Sequence, residues 1–160
     1  MTDPLVSVAR HLFEQSASEM RGSIEGASPE ALNWRPAGEE TNSIAVLAVH
    51  SLHSSRWWLS VALGVREPER DRDSEFVAST EDAASLLAFC DSMIADCRVL
   101  LSIDEPVDWS LPRTTTREQG DPDPLTAAWA LLHALEHLRE HVAHLQLTRQ
   151  LWEAGPPKEV

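Results

Sequence analysis

Four of the seven histidines in this 160-residue chain, His133, His137, His141 and His144, fall within twelve residues. At 100° per residue they occupy about 80° of a helix circumference. His137 and His141, at i and i+4, have Cβ atoms about 5–6 Å apart, so their rings can reach one cation. The same four rings on a solvent-facing side would do no chemistry, and this spacing alone does not separate the two readings. A zinc-protease pattern is excluded, because HALEH and HLREH lack the Glu directly after the first His that H-E-x-x-H requires.

A second helical segment bears on the choice. Val46, Leu47, Trp57, Trp58 and Val61 share an arc, and His50 lies at its centre. An imidazole buried there needs partners for both nitrogens or costs a few kcal/mol. The plainer reading is a core His bonded to a carbonyl or to Ser54. The functional reading is a third ligand directed toward His137 and His141 from a neighbouring helix, the way bundles assemble metal sites. His53 lies about 60° from the His50 direction and is read as a rim residue, and His11 is isolated. His133 and His144 sit a turn beyond the pair and are expected at the rim or behind the ligands. Imidazole ligands commonly donate their second N–H to a carboxylate, for which Glu136 and Glu140 are the nearby choices.

Four helical segments must position these residues. The first spans about Asp3 to Ser23, with Leu5, Val8, Leu12 and Phe13 on one side. A short turn is expected at Pro29–Leu32. The second helix runs from Asn42 or Ser43, either a suitable N-cap, to about Leu63. The charged stretch VREPERDRDSEF follows as a solvated loop, in which Arg66, Arg70 and Arg72 nearly cancel their acidic neighbours. The third helix opens at Ser79 or Thr80 and reaches about Ser102. A proline-rich connection precedes the fourth, which is expected to start at Asp123-Pro124 and end near Ala154. Its Leu131, Leu135, Leu138, Val142 and Leu145, spaced four and three apart, form a bundle seam. The expected fold is all-α, an antiparallel four-helix bundle over residues 1–155 with a tail at 156–160.

Composition excludes other classes. Thirteen Lys and Arg against 26 Asp and Glu, a net charge of -13 with no basic stripe, argue against nucleic acid, whose binding rests on neutralising phosphates. The longest apolar runs, such as IAVLAV at 44–49, fall far short of the roughly 20 residues of a membrane span. The start MTDPLVSVARHLFEQ has neither the basic nor the apolar region of a signal peptide, so a cytoplasmic protein is expected. Cys90 and Cys97, seven apart in a helix and thus about 10.5 Å apart in rise, are too distant for a disulfide and read as core thiols.

The order and spacing of ALNWRP at 31–36, NSIAVLAVHSLHSSRWWL at 42–59, VDWSLP at 107–112 and WALLHALEHLREHVAHLQLTRQLW at 129–152 resemble the DinB/YfiT-like superfamily over nearly the whole chain. The resemblance implies a four-helix bundle, often a homodimer, whose metal ligands correspond to His50, His137 and His141. Where many relatives carry Gly-Gln after the last ligand, this chain has Ala143-His144. Three His ligands leave a coordination position open, as in catalytic rather than structural sites. Zinc or nickel are the foremost ions, although imidazole also suits copper and iron. Characterised relatives include transferases and isomerases that use small thiols such as bacillithiol or mycothiol. The resemblance therefore implies a metal-dependent thiol transferase, with a metal-dependent hydrolase or a non-catalytic metal- or ligand-binding bundle as alternatives. Arg56 and Arg149 are candidates to meet an anionic cosubstrate, with surface salt bridges as the plainer reading. Trp34, Trp57, Trp58 and Trp109 could wall a cleft, although bundle aromatics more often fill the core.

Overall fold

The computed structural model describes residues 3–115 and 125–155, and among them the regular elements are helical. These are α1 (Pro4–Ile24), α2 (Pro29–Asn33), a 3-10 turn at Gly38–Glu40, α3 (Ile44–Leu63), α4 (Arg72–Glu75), α5 (Ala83–Leu100) and α6 (Ala127–Ala154). The four long helices form the expected four-helix bundle, although two of its neighbouring pairs run parallel.

Their directions follow from which residues meet. Arg98 pairs with Glu14 and Asp91 with Arg21, so α1 and α5 run antiparallel. Trp58 meets Trp129 while His50 meets His141, so α3 and α6 are antiparallel too. In contrast, Leu12 borders Leu132 and Glu19 bonds Arg139 and Gln146, which makes α1 and α6 parallel. His53 on Phe89 and Arg56 on Asp96 make α3 and α5 parallel. The long connections before α5 and α6 permit this mixed arrangement, which a bundle of tight hairpins could not adopt.

Local chemistry sets the helix ends. Asp3 caps α1, accepting from Leu5 N–H at 2.8 Å and Val6 N–H at 3.3 Å, with Pro4 in the first turn. The same carboxylate accepts from Trp109 Nε1 at 3.1 Å, so the VDWSLP segment is stapled to the start of α1. Ser43 caps α3, and Gly64 at φ 66° ends it in the left-handed conformation that glycine adopts without strain. Asp82 proves to be the cap of α5 and not part of its first turn. Asp123 and Pro124 lie outside the described residues. Helix α6 begins at Ala127, capped by Thr126, because Arg113 N–H to Leu125 C=O and Ala127 N–H to Leu111 C=O hold the preceding residues extended. The tail at 156–160 also lies outside the described residues.

The core contains the predicted α6 seam: Leu131, Leu138, Val142 and Leu145 are buried and Leu135 partly so. On α1 the inward face differs from expectation. Val6, Ala9, Phe13, Ala17, Met20 and Ile24 point inward, while Val8 and Leu12 stand 55% and 44% exposed. The inward row uses alanines, whose small side chains let the helix approach its neighbours closely. Helix α3 is the spine: sixteen of its twenty residues are buried, among them four serines that tuck into close packing. Ser51, Ser55 and Ser60 hydroxyls return to backbone carbonyls at 3.3, 2.8 and 2.9 Å, so their donors stay paired inside the packing. Cys90 and Cys97 are free and buried, and burial pushes both thiols up to about 12, as inert core residues.

Candidate metal centre

Helices α3 and α6, which share the most extensive packing in the bundle, bring three imidazoles together. The ring centroid of His50 lies 5.1 Å from that of His137 and 5.0 Å from that of His141, and the α6 pair stands at 4.4 Å. One ring nitrogen from each His falls within 4.8 Å of the others. The Nε2 atoms of His137 and His141 are 3.2 Å apart. Nitrogens bound tetrahedrally at 2.0–2.1 Å from one ion sit about 3.3–3.4 Å apart, so the α6 pair already has ligand spacing.

The environment keeps the α6 pair neutral. Burial, then the neighbouring His141 and His50, pushes His137 down from the usual 6.5 to about 3. Burial and His50 push His141 down to about 4. Both therefore hold unprotonated nitrogens at neutral pH, the form that binds metal. Their Nδ1 atoms are buried and have no hydrogen-bond partner among the described residues. A divalent cation fits this set: neutral nitrogen donors from two rigid helices, converging within ligand distance of one point.

His50 differs in its support. Its Nδ1 lies 2.8 Å from Oε2 of Glu75, a carboxylate with only 2% of its side chain exposed. Arg70 grips the same carboxylate with two bonds, Nε to Oε1 at 2.7 Å and Nη2 to Oε2 at 2.8 Å. Burial by itself would raise the Glu75 carboxyl, but the bonds from Arg70 and His50 prevail and hold it at about 2. Phe76 covers the His50 ring at 4.5 Å. Helix α4, only four residues long and capped by Asp71, carries Glu75 into this position. The expected solvated loop is therefore wrong for Arg70 and Glu75, because a buried carboxylate demands a buried partner and Arg70 supplies it.

Two residues of the ALNWRP segment fasten this loop from the other side. Arg35 donates to Thr41 C=O at 3.0 Å and to Phe76 C=O at 2.7 Å. Asn33 exchanges two hydrogen bonds with the backbone of Thr80, at 2.8 and 3.0 Å.

The remaining candidates separate from the cluster. His133 stacks on Trp129 at 4.6 Å and meets Trp58 edge-on at 4.8 Å, with His137 at 5.7 Å; it belongs to an aromatic wall above the site. His144 is exposed, 6.0 Å from the His141 ring, and borders a cleft of ≈ 350 Å³ with Glu40, Leu47 and Thr148. Glu136 and Glu140 are exposed, and the carboxylate contact they were expected to provide comes from Glu75 instead. Glu140 acts on His141 only through its charge. Arg56 faces α5 and pairs with Asp96 at 3.2 Å, and Arg149 pairs with Glu153. His53 packs on Phe89, outside the triad. Trp57 and Trp58 are core residues, and Trp34 packs on Trp152.

A family model described as the DinB superfamily matches residues 12–145, which include all three histidines. The chain belongs to the DinB superfamily. A crystal structure described as a conserved protein from Enterococcus faecalis shares this fold at TM-score 0.71 and 12% identity, covering 94% of this chain and 96% of that one. No curated protein matches the sequence. No helix among the described residues is long and apolar enough to cross a membrane.

Proposed function

We propose that this DinB-superfamily chain is a metal-dependent transferase that uses a low-molecular-weight thiol of the bacillithiol or mycothiol kind, with zinc or nickel held by His50, His137 and His141. The convergence of three imidazoles, with no carboxylate among them, is the observation that carries this reading. When bound, a divalent ion there supplies Lewis-acid chemistry, lowering the pKa of a thiol that reaches the open position. The chain's own groups favour an anion at that position. His137 and His141 are held neutral and the Glu75 charge is balanced by Arg70, so little negative charge from the chain offsets that of an ion.

Metal-dependent hydrolysis is the alternative reading: an ion would lower the pKa of bound water as it would that of a thiol, but the buried carboxylate at the site is not free to assist as a base. Glu75, the buried carboxylate at the site, already accepts from both Arg70 and His50. Within the same reading the chain works in the cytoplasm as a homodimer, which light scattering of the purified protein tests.

The decisive experiment is metal analysis of the purified protein and of His137→Ala. About one equivalent of divalent metal is expected in the first, and well under half in the second. Low or unchanged metal content in both would refute the reading. With metal present, a panel of small thiols should give metal-dependent proton release, and none from any thiol would return the assignment to a hydrolase or a binding protein.

A further inference from the structure

The three imidazoles are not supported alike. His137 and His141 have buried Nδ1 atoms with no hydrogen-bond partner among the described residues, whereas His50 Nδ1 faces a buried carboxylate at 2.8 Å. That carboxylate comes from α4, twenty-five residues along the chain, and Arg70 fixes both of its oxygens. Arg70 is itself only 11% exposed at its side chain, so the pair lies inside the fold and is not a solvent-facing contact. An ionised carboxylate can only accept a hydrogen bond. Its contact with Nδ1 therefore places a ring proton on Nδ1, so that the neutral form of the ring carries its lone pair on Nε2, while Phe76 against the ring restricts its rotation.

We propose that Glu75, clamped by Arg70, is a positioning residue that locks His50 in the Nδ1–H tautomer with Nε2 presented toward His137 and His141. The inference rests on the metal reading above for its purpose but not for its geometry. His50 thereby becomes the best-oriented donor of the three, since a carboxylate partner on one nitrogen fixes the direction of the other. The loop from Arg70 to Phe76 then belongs to the site as fully as the two helices do.

Two measurements test this. In metal-free wild-type protein at pH 7.5, long-range nitrogen–proton NMR correlations of His50 should show a single tautomer protonated at Nδ1. A predominant Nε2–H form, or a mixture, would overturn the proposal. Zinc affinity, read by competition with a chromophoric chelator, should fall about 10–100-fold in Glu75→Gln. The double variant Arg70→Met/Glu75→Gln removes both charges together and avoids stranding either one, so it covers the case in which the single variant fails to fold. It should lose affinity to the same degree and give a mixed His50 tautomer. A loss of less than tenfold in the folded variant would overturn the proposal. If wild-type protein binds no zinc, the metal reading fails, and the tautomer measurement alone decides the role of Glu75.

Discussion

Lowering the pH from 7 to 5 should destabilise the metal-free protein through His137 and His141. Both are held neutral in the fold, at about 3 and about 4 against 6.5 for the free side chain. Below pH 6.5 the unfolded chain takes up protons that the folded chain refuses, so stability falls as pH falls. The contribution is complete above pH 6.5 and is lost progressively down to the folded-state values. Between pH 7 and 5 each ring loses about 1.4 proton-pH units at 1.36 kcal/mol each, or about 2 kcal/mol. Two rings give an upper figure of about 4 kcal/mol, which partial solvent access and mutual coupling reduce to about 2–4. At 2–4 °C per kcal/mol for a domain of this size, the melting temperature should drop by about 5–15 °C. Glu75, held at about 2, stays ionised over this range and adds little to the drop. The assay is thermal unfolding followed by circular dichroism in chelator-treated buffer, with His137→Asn/His141→Asn as the comparison. A melting temperature constant from pH 7 to 5, or an equal drop in the double variant, would refute the reasoning.

Two further outcomes are expected. Leu138, 1% exposed on α6 between the two histidines, fills the core, and Leu138→Ala should cost about 2–5 kcal/mol in urea unfolding. Arg56→Ala removes only a half-exposed pair with Asp96, so stability should change by less than about 0.5 kcal/mol, with metal content as in the wild type.

The triad was legible in the sequence because each member is placed by helical periodicity: His137 and His141 by their spacing, His50 by its position amid apolar neighbours. Glu75 was not legible. It lies in a stretch of alternating charges, and its burial depends on a four-residue helix and on contacts with α3 that no local pattern records. Glu136 and Glu140 looked suitable because they are near in sequence, but both are exposed to solvent. The helix order and most of their ends followed from caps and prolines. The face of α1 did not, because size misleads: buried Ala9 and Ala17 count for less on a hydropathy scale than exposed Val8 and Leu12. The parallel pairings α1/α6 and α3/α5 are set by long connections, whose course depends on contacts such as Trp109 with Asp3.

The near-complete burial of α3 has a consequence for hydrogen exchange. Its amides have no route to solvent short of opening the whole bundle, so they should be among the slowest to exchange. The amides of Phe76, Val77 and Ala78 are held by single bonds of 3.3–3.4 Å at the end of α4 and should exchange through local opening. His50 thus joins two regimes, with its backbone in the most protected part of the molecule and its carboxylate partner beside the least. Ion capture should slow exchange in the Phe76–Ala78 segment far more than in α3, which makes that short stretch a reporter of the site.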